Sequence, residues 1–258
     1  MIKTLIISGC TSSKLKEHPL GLAPADFLSA ASRTAREKAL YAIDPSLEQK
    51  AYDMYTGGFY GKGDDEAFRE GFDSFKSKIP NYSDYVDLRI LSAGYGLLKE
   101  DAPVFPYNVS YNNFGEIKKL GFKTMLDWGN HLNSRPALDA IISNYDLVLV
   151  FLSDGYLKAL NIPDSEFDLK PDAKVIFFNK KRFNKKTPIA KTPSTYHTFL
   201  TDANTLKMYN TKYGGGANCV NLRGKLAFRI FKDLVDPTSA DPFKTVFENY
   251  ANLEKMIL

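Results

Sequence analysis

The stretch SGCTSSKL, residues 8–15, sets Cys10, three hydroxyls (Thr11, Ser12 and Ser13) and the cation Lys14 directly behind a short apolar run. Hydroxyls, backbone N–H groups exposed in a tight turn and an ammonium group suit an anion such as phosphate. The spacing is not G-x-x-x-x-G-K-[ST], so this is no Walker A loop. A serine-capped turn from strand to helix accounts for the same residues. Cys10 fits small buried packing as well as it fits nucleophilic attack.

Other segments carry comparable chemistry. ILSAGYGLLKEDAPVFPYNVSY, residues 90–111, has Ser92 at a strand end, Tyr95 between Gly94 and Gly96, the acids Glu100 and Asp101, then Pro106, Tyr107 and Asn108. The glycines permit positive φ or close backbone approach. G-x-S-x-G is absent, so a nucleophile elbow is not supported. In SDGYLKAL, residues 153–160, Asp154 is either a helix cap or a carboxylate at the sheet edge. NKKRFNKK groups Lys180, Lys181, Arg182, Lys185 and Lys186 around Phe183, a pattern that contacts phosphates or forms a solvated loop. AYDMYTGGFYGKG, residues 51–63, mixes tyrosines with glycines, either to stack on a base or to pack a helix. Arg223 and Gly224 stand near the start of a helix opened by GGGANCVN, a place suited to anions.

The elements that position these residues are legible in the apolar runs. TLII (4–7), LRIL (88–91), LVLVFL (147–152) and KVIFF (174–178) are short and continuous rather than alternating. That pattern marks strands buried on both faces of a mainly parallel sheet. Helical stretches lie between them, at 27–43, 65–79, 114–133, 137–145 and 224–235, so the fold class is α/β. The expectation is one α/β domain over residues 1–258, with a basic insertion around 179–215. In such sheets ligands bind beyond the carboxyl ends of the strands, where most of these residues fall.

Bulk composition narrows the rest. No apolar run approaches the ~18–20 residues that span a bilayer. The apolar start lacks an A-x-A-like cleavage site and reads as a strand. Cys10 and Cys219 make no disulfide framework, so a reducing, cytoplasmic setting is expected. Three histidines without Cys/His spacing provide no zinc motif, and no metal or cofactor is expected. His18, His131 and His197 fit no motif. Trp128 reads as core within an amphipathic helix. A net charge of +4 decides little by itself.

Taken in order, the segments resemble the YaaA family and its relatives. ILSAGYGLLKEDAPVFPYNVSY is similar to that family's LS-x-x-YG-L-L…PY signature. Shorter likenesses lie at residues 8–15, 55–60, 152–156 and 221–226, so the resemblance runs from Ile6 to about Phe231. The chain departs from the pattern at Phe105, at Ser153-Asp154, and at Leu222-Arg223-Gly224. The resemblance implies a DNA or RNA partner, a glycosylase-like architecture and kinship with proteins that process modified bases, phage-defence glycosylases among them.

On that footing the first expectation is a DNA glycosylase excising a modified base. Excision passes through an oxocarbenium-like sugar and needs a carboxylate, for which Asp101 and Asp154 are the candidates. Tyr55, Tyr95 and Tyr107 are candidate stacking walls, with the Ser-Ala-Gly-Tyr-Gly turn as one wall of the base pocket. Cys10, Ser13, Ser92 and Asn108 are candidate base contacts, and Lys14, Lys181, Arg182 and Arg223 candidate phosphate contacts. Lys14 would also suit an imine with an abasic sugar, which requires a lowered pKa. A non-catalytic DNA-binding stress protein and a nucleoside or nucleotide enzyme are the alternatives.

Overall fold

The four continuous apolar runs are strands, and the described residues add four more. In order they are β1 (Thr4–Gly9), β2 (Gln49–Lys50), β3 (Val86–Ser92), β4 (Gly96–Lys99), β5 (Pro103–Val104), β6 (Leu147–Phe151), β7 (Lys174–Asn179) and β8 (Tyr196–Leu200). The structure, a computed structural model, describes the chain apart from residues 12, 62–65, 112–113, 184–185 and 193. Six strands form one sheet in the order β4-β3-β1-β6-β7-β8, while β2 and β5 pair separately. β3, β1, β6, β7 and β8 run parallel, and only β4 is antiparallel.

The apolar runs explain this sheet. Leu5, Ile6 and Ile7 in β1, Leu147 to Val150 in β6 and Val175 to Phe178 in β7 are all buried, so helices cover both faces. Local chemistry starts those helices. Ser29 accepts a hydrogen bond from the Ser32 N–H to open Ala30–Ile43, and Asp202 accepts from Thr205 to open Ala203–Tyr213. The helical stretch expected at 114–133 is two helices, Gly115–Lys119 and Met125–His131. A Thr124–Asp127 capping box starts the second.

Two parts of the chain fall differently from expectation. Residues 179–215 carry β8, paired in parallel to β7, and the helix Ala203–Tyr213. β8 begins with Tyr196 and His197, so no apolar run announces it. β4 follows β3 through a three-residue turn and runs back along it, with Lys99 opposite Arg89. Glu100 and Asp101 therefore lie toward the amino ends of the parallel strands, beside Lys3, Val86 and Asp87. No helix among the described residues is long and apolar enough to cross a membrane.

Trp128 is fully buried, as its helix position suggested, and its indole N–H donates to the Ala93 carbonyl at 2.7 Å. Ala93 is itself fully buried. Trp128→Phe leaves that carbonyl unpaired and shrinks the side chain. A loss of about 2–4 kcal/mol is expected, measured as a lower denaturant midpoint.

Candidate functional site

The chain leaves β1 for β3 on one side and returns to β6 on the other, so the order reverses between β1 and β6. Beyond the carboxyl ends of these strands lies a cleft of about 450 Å³. Gly9, Cys10, Thr11 and Ser13 line it from β1, Phe151 and Ser153 to Tyr156 from β6, and Lys180 from β7. Gly57 to Phe59 and Cys219, Val220 and Arg223 close the remaining sides.

The loop after β1 is strapped down. The Cys10 N–H bonds to the Leu91 carbonyl at 2.9 Å, extending the ladder onto β3. Thr11 Oγ1 donates to the Ser13 carbonyl at 2.7 Å and accepts the Gly57 N–H at 3.1 Å. Thr11 and Val220 occupy the space that Cβ atoms at Gly57 and Gly58 would need. On the far side, the Arg223 Nε donates to the Phe178 carbonyl at 2.8 Å, tying the helix Leu222–Arg229 to the end of β7. Burial lowers the Arg223 pKa and the nearby Asp154 carboxylate opposes that, yet the guanidinium stays a cation. Asp154 is exposed in the first turn of the helix Asp154–Ala159. Among the described residues the cleft is thus lined by one carboxylate and two cations, Lys180 and Arg223, beside Phe59, Phe151 and Tyr156. The Phe59 and Phe151 ring centroids are 5.3 Å apart.

Behind the cleft is a buried chain of hydroxyls. Tyr156 donates to the Cys10 carbonyl at 2.8 Å, so across the 2.9 Å contact the Cys10 thiol donates to the Tyr156 oxygen. Tyr55 and Ser92 each contact the Tyr107 hydroxyl at 2.8 Å. Burial pushes the phenols of Tyr55, Tyr107 and Tyr156 well up, which keeps them neutral. Among the described residues no histidine lines the cleft, so Cys10 has no imidazole base there.

Of the expected site residues, Cys10, Ser13, Asp154 and Arg223 come together in the cleft. Tyr55, Tyr107 and Ser92 do not line it: they are buried behind it with their hydroxyls engaged, and no base can stack on them. Tyr95 sits further off, its ring edge-on to Phe27 at 5.1 Å and its oxygen accepting the Phe105 N–H. The Ser-Ala-Gly-Tyr-Gly turn is accordingly a hairpin device rather than a pocket wall. Ser92 Oγ accepts the Gly94 and Tyr95 N–H groups, and Gly96 has a φ of +75°. A Cβ at Gly96 would stand 2.6 Å from the Leu132 carbonyl oxygen.

Asp101 is the clearest correction. β4 carries it to the opposite end of the sheet, where it borders a depression with Lys3, Val86 and Asp87. Asn108 and Lys14 line a separate cavity. Lys181 and Arg182 are exposed on the loop that follows Lys180. Ser12 and Lys185 lie outside the described residues. Phe59 and Phe151 went unsingled because a buried aromatic at a strand end looks like any core residue. Gly57-Gly58 in the 51–63 segment was the available signal for that wall.

Fold and site together define an α/β protein with a cationic cleft at the switch point of its sheet. No family model matches the chain, and no curated protein and no solved structure matches it either.

Proposed function

We propose that the protein acts on nucleic-acid bases, as a glycosylase that hydrolyses the N-glycosidic bond of a modified base extruded from DNA into the cleft. The observation that carries this is the placement of Asp154 and Arg223 in one aromatic-lined cleft at the switch point. A base set against Phe59 and Phe151 places its sugar toward the polar rim. Asp154 then stabilises positive charge at C1′ and aligns the water that adds there, while the base leaves with the bonding electrons and takes up a proton. Arg223 and Lys180 hold the flanking phosphates. Extrusion costs about a few kcal/mol, which these contacts must offset. The likeness to YaaA-type and defence-associated proteins belongs to this proposal and points the same way.

The cleft volume lies within the ~300–1,000 Å³ range of small-molecule sites, so a free nucleotide is the second reading. The exposed Lys181, Arg182 and Lys186 beside Lys180 favour a polymer. Replacing Lys180, Lys181, Arg182 and Lys186 by alanine is expected to flatten the slope of log affinity against log salt by about 0.9 per lost duplex phosphate contact. An unchanged slope takes this loop out of the interface.

The deciding experiment incubates the protein with unmodified, uracil-containing and hypermodified phage DNA, then identifies released bases by mass spectrometry. A released base names both reaction and substrate. Binding without release from any substrate replaces this reading with a non-catalytic one.

A further inference from the structure

The loop after β1 leads from the cleft to a second cavity of about 340 Å³. Ser13 lines the cleft, Lys14 lines this cavity, and the two share no lining residue. Lys16, Glu17, His18, Tyr107 and Asn108 line it as well. Backbone bonds anchor its walls at both ends of the loop. Lys14 forms an antiparallel bridge with Tyr55, and the Leu15 N–H bonds to the Met54 carbonyl at 2.7 Å. At the far end Leu22 bridges Tyr107 in parallel. Its N–H donates to the Pro106 carbonyl at 2.9 Å, and its carbonyl accepts the Asn108 N–H at 2.8 Å.

The side chains on these walls are mostly donors. Lys14 Nζ stands 4.5 Å from the centroid of the Tyr107 ring, a placement that favours the ammonium ion. Lys14 is thus set as a cation away from the cleft that holds the sugar carbon, and the imine that the sequence allowed is not supported. Lys16 and His18 are half-buried in the same cavity. His18 Nδ1 accepts the Leu20 N–H at 3.2 Å, which leaves a ring proton on Nε2 to donate. Asn108 adds a side-chain amide. Among the described residues Glu17 is the one carboxylate lining the cavity, and it is exposed. Burial lowers the Lys14 pKa, with Cys10 and Glu17 acting against it, and a bound anion would act in the same sense as they do.

We propose that this cavity is a second phosphate site, separate from the cleft, in which Lys14, Lys16 and His18 hold the anion. Ammonium groups donate and accept nothing, so they match a group whose charged oxygens only accept. A phosphate mono- or diester has that chemistry, whether it comes from a free phosphate compound or from a nucleic-acid strand. The site does not depend on base excision: it binds and carries out no reaction.

The test acetylates the unaltered protein lightly, in inorganic phosphate or in chloride of equal ionic strength, and maps the labelled lysines by peptide mass spectrometry. In phosphate, labelling of Lys14 and Lys16 is expected to fall by at least half, while the exposed Lys78 on the helix Phe68–Lys78 labels as before. Equal labelling of Lys14 and Lys16 in the two salts overturns the proposal. So does protection confined to Lys180, which places the anion in the cleft. Calorimetry with inorganic phosphate provides the second arm. Arg223→Gln, on the cleft side, is expected to retain binding. Adding Lys16→Gln to it is expected to weaken binding about tenfold, the worth of one charge-assisted hydrogen bond. Loss of binding in Arg223→Gln alone, or no effect of Lys16→Gln, overturns the proposal. One oligonucleotide with and without a terminal phosphate then identifies the source. Protection of Lys14 and Lys16 by both forms assigns the site to phosphates within a strand. Protection by the phosphorylated form alone, or by inorganic phosphate alone, assigns it to a terminal or free phosphate. No arm measures base release, so failure here leaves the glycosylase reading standing.

Discussion

Asp154→Asn is expected to lower the rate of base release by about a hundredfold or more, with the fold intact. The carboxylate is exposed at the first turn of the helix Asp154–Ala159, and Ser153, not Asp154, is the capping residue. Its stabilising roles are a favourable charge near the helix amino end, worth about 0.3–1 kcal/mol, and attraction to the nearby Arg223 cation. A large rate loss beside a small change in melting temperature therefore separates chemistry from folding. Single-turnover rates and thermal melts of the two proteins make the comparison. Asp101→Asn is the paired control: at the other end of the sheet, it is expected to keep the rate. Full activity in Asp154→Asn removes the carboxylate from the mechanism.

Gly224→Ala should produce the largest structural effect. A Cβ there would meet the Phe59 carbonyl oxygen at 2.3 Å and the Gly58 carbonyl oxygen at 3.0 Å, both backbone atoms that no rotamer change can move. The helix Leu222–Arg229 must shift away from the 57–59 segment, taking Arg223 with it and opening the cleft. Overpacking of this kind costs about 1–3 kcal/mol, and a clash with rigid backbone belongs at the upper end. The expected result is a lower denaturant midpoint together with weaker ligand binding. A variant as stable as the parent would show that this contact does not seat the helix.

Arg223 and Gly224 stood out in the sequence for one supposed role, anion binding at a helix start. The tertiary structure divides them. Arg223 lines the cleft and anchors to β7, whereas Gly224 lets the helix approach Phe59. A similar division runs through the tyrosines. Their spacing beside glycines suited stacking on a base, but aromatic rings are also the largest apolar surfaces available to a core. Tyr55 and Tyr107 were drawn inward, and hydrogen bonds among Tyr55, Tyr107 and Ser92 satisfy their hydroxyls. Nothing local in a sequence distinguishes a ring facing a cleft from a ring facing a strand.

The sequence by itself determined the α/β class, because continuous runs such as LVLVFL and KVIFF can only be buried on both faces, and that burial needs helices above and below. It also determined that Cys10, Ser13 and Asp154 stand just past strand ends, where a parallel sheet receives its ligands. Strand order and the reversed direction of β4 were decided only in the tertiary structure. β1 lies between β3 and β6, so the loops after β1 and β6 face each other across one cleft. β4 turns back, so Asp101 is carried to the opposite end from Asp154 although both follow apolar runs. Pairing of distant strands depends on how whole surfaces fit, and a strand carries no local mark of its neighbour.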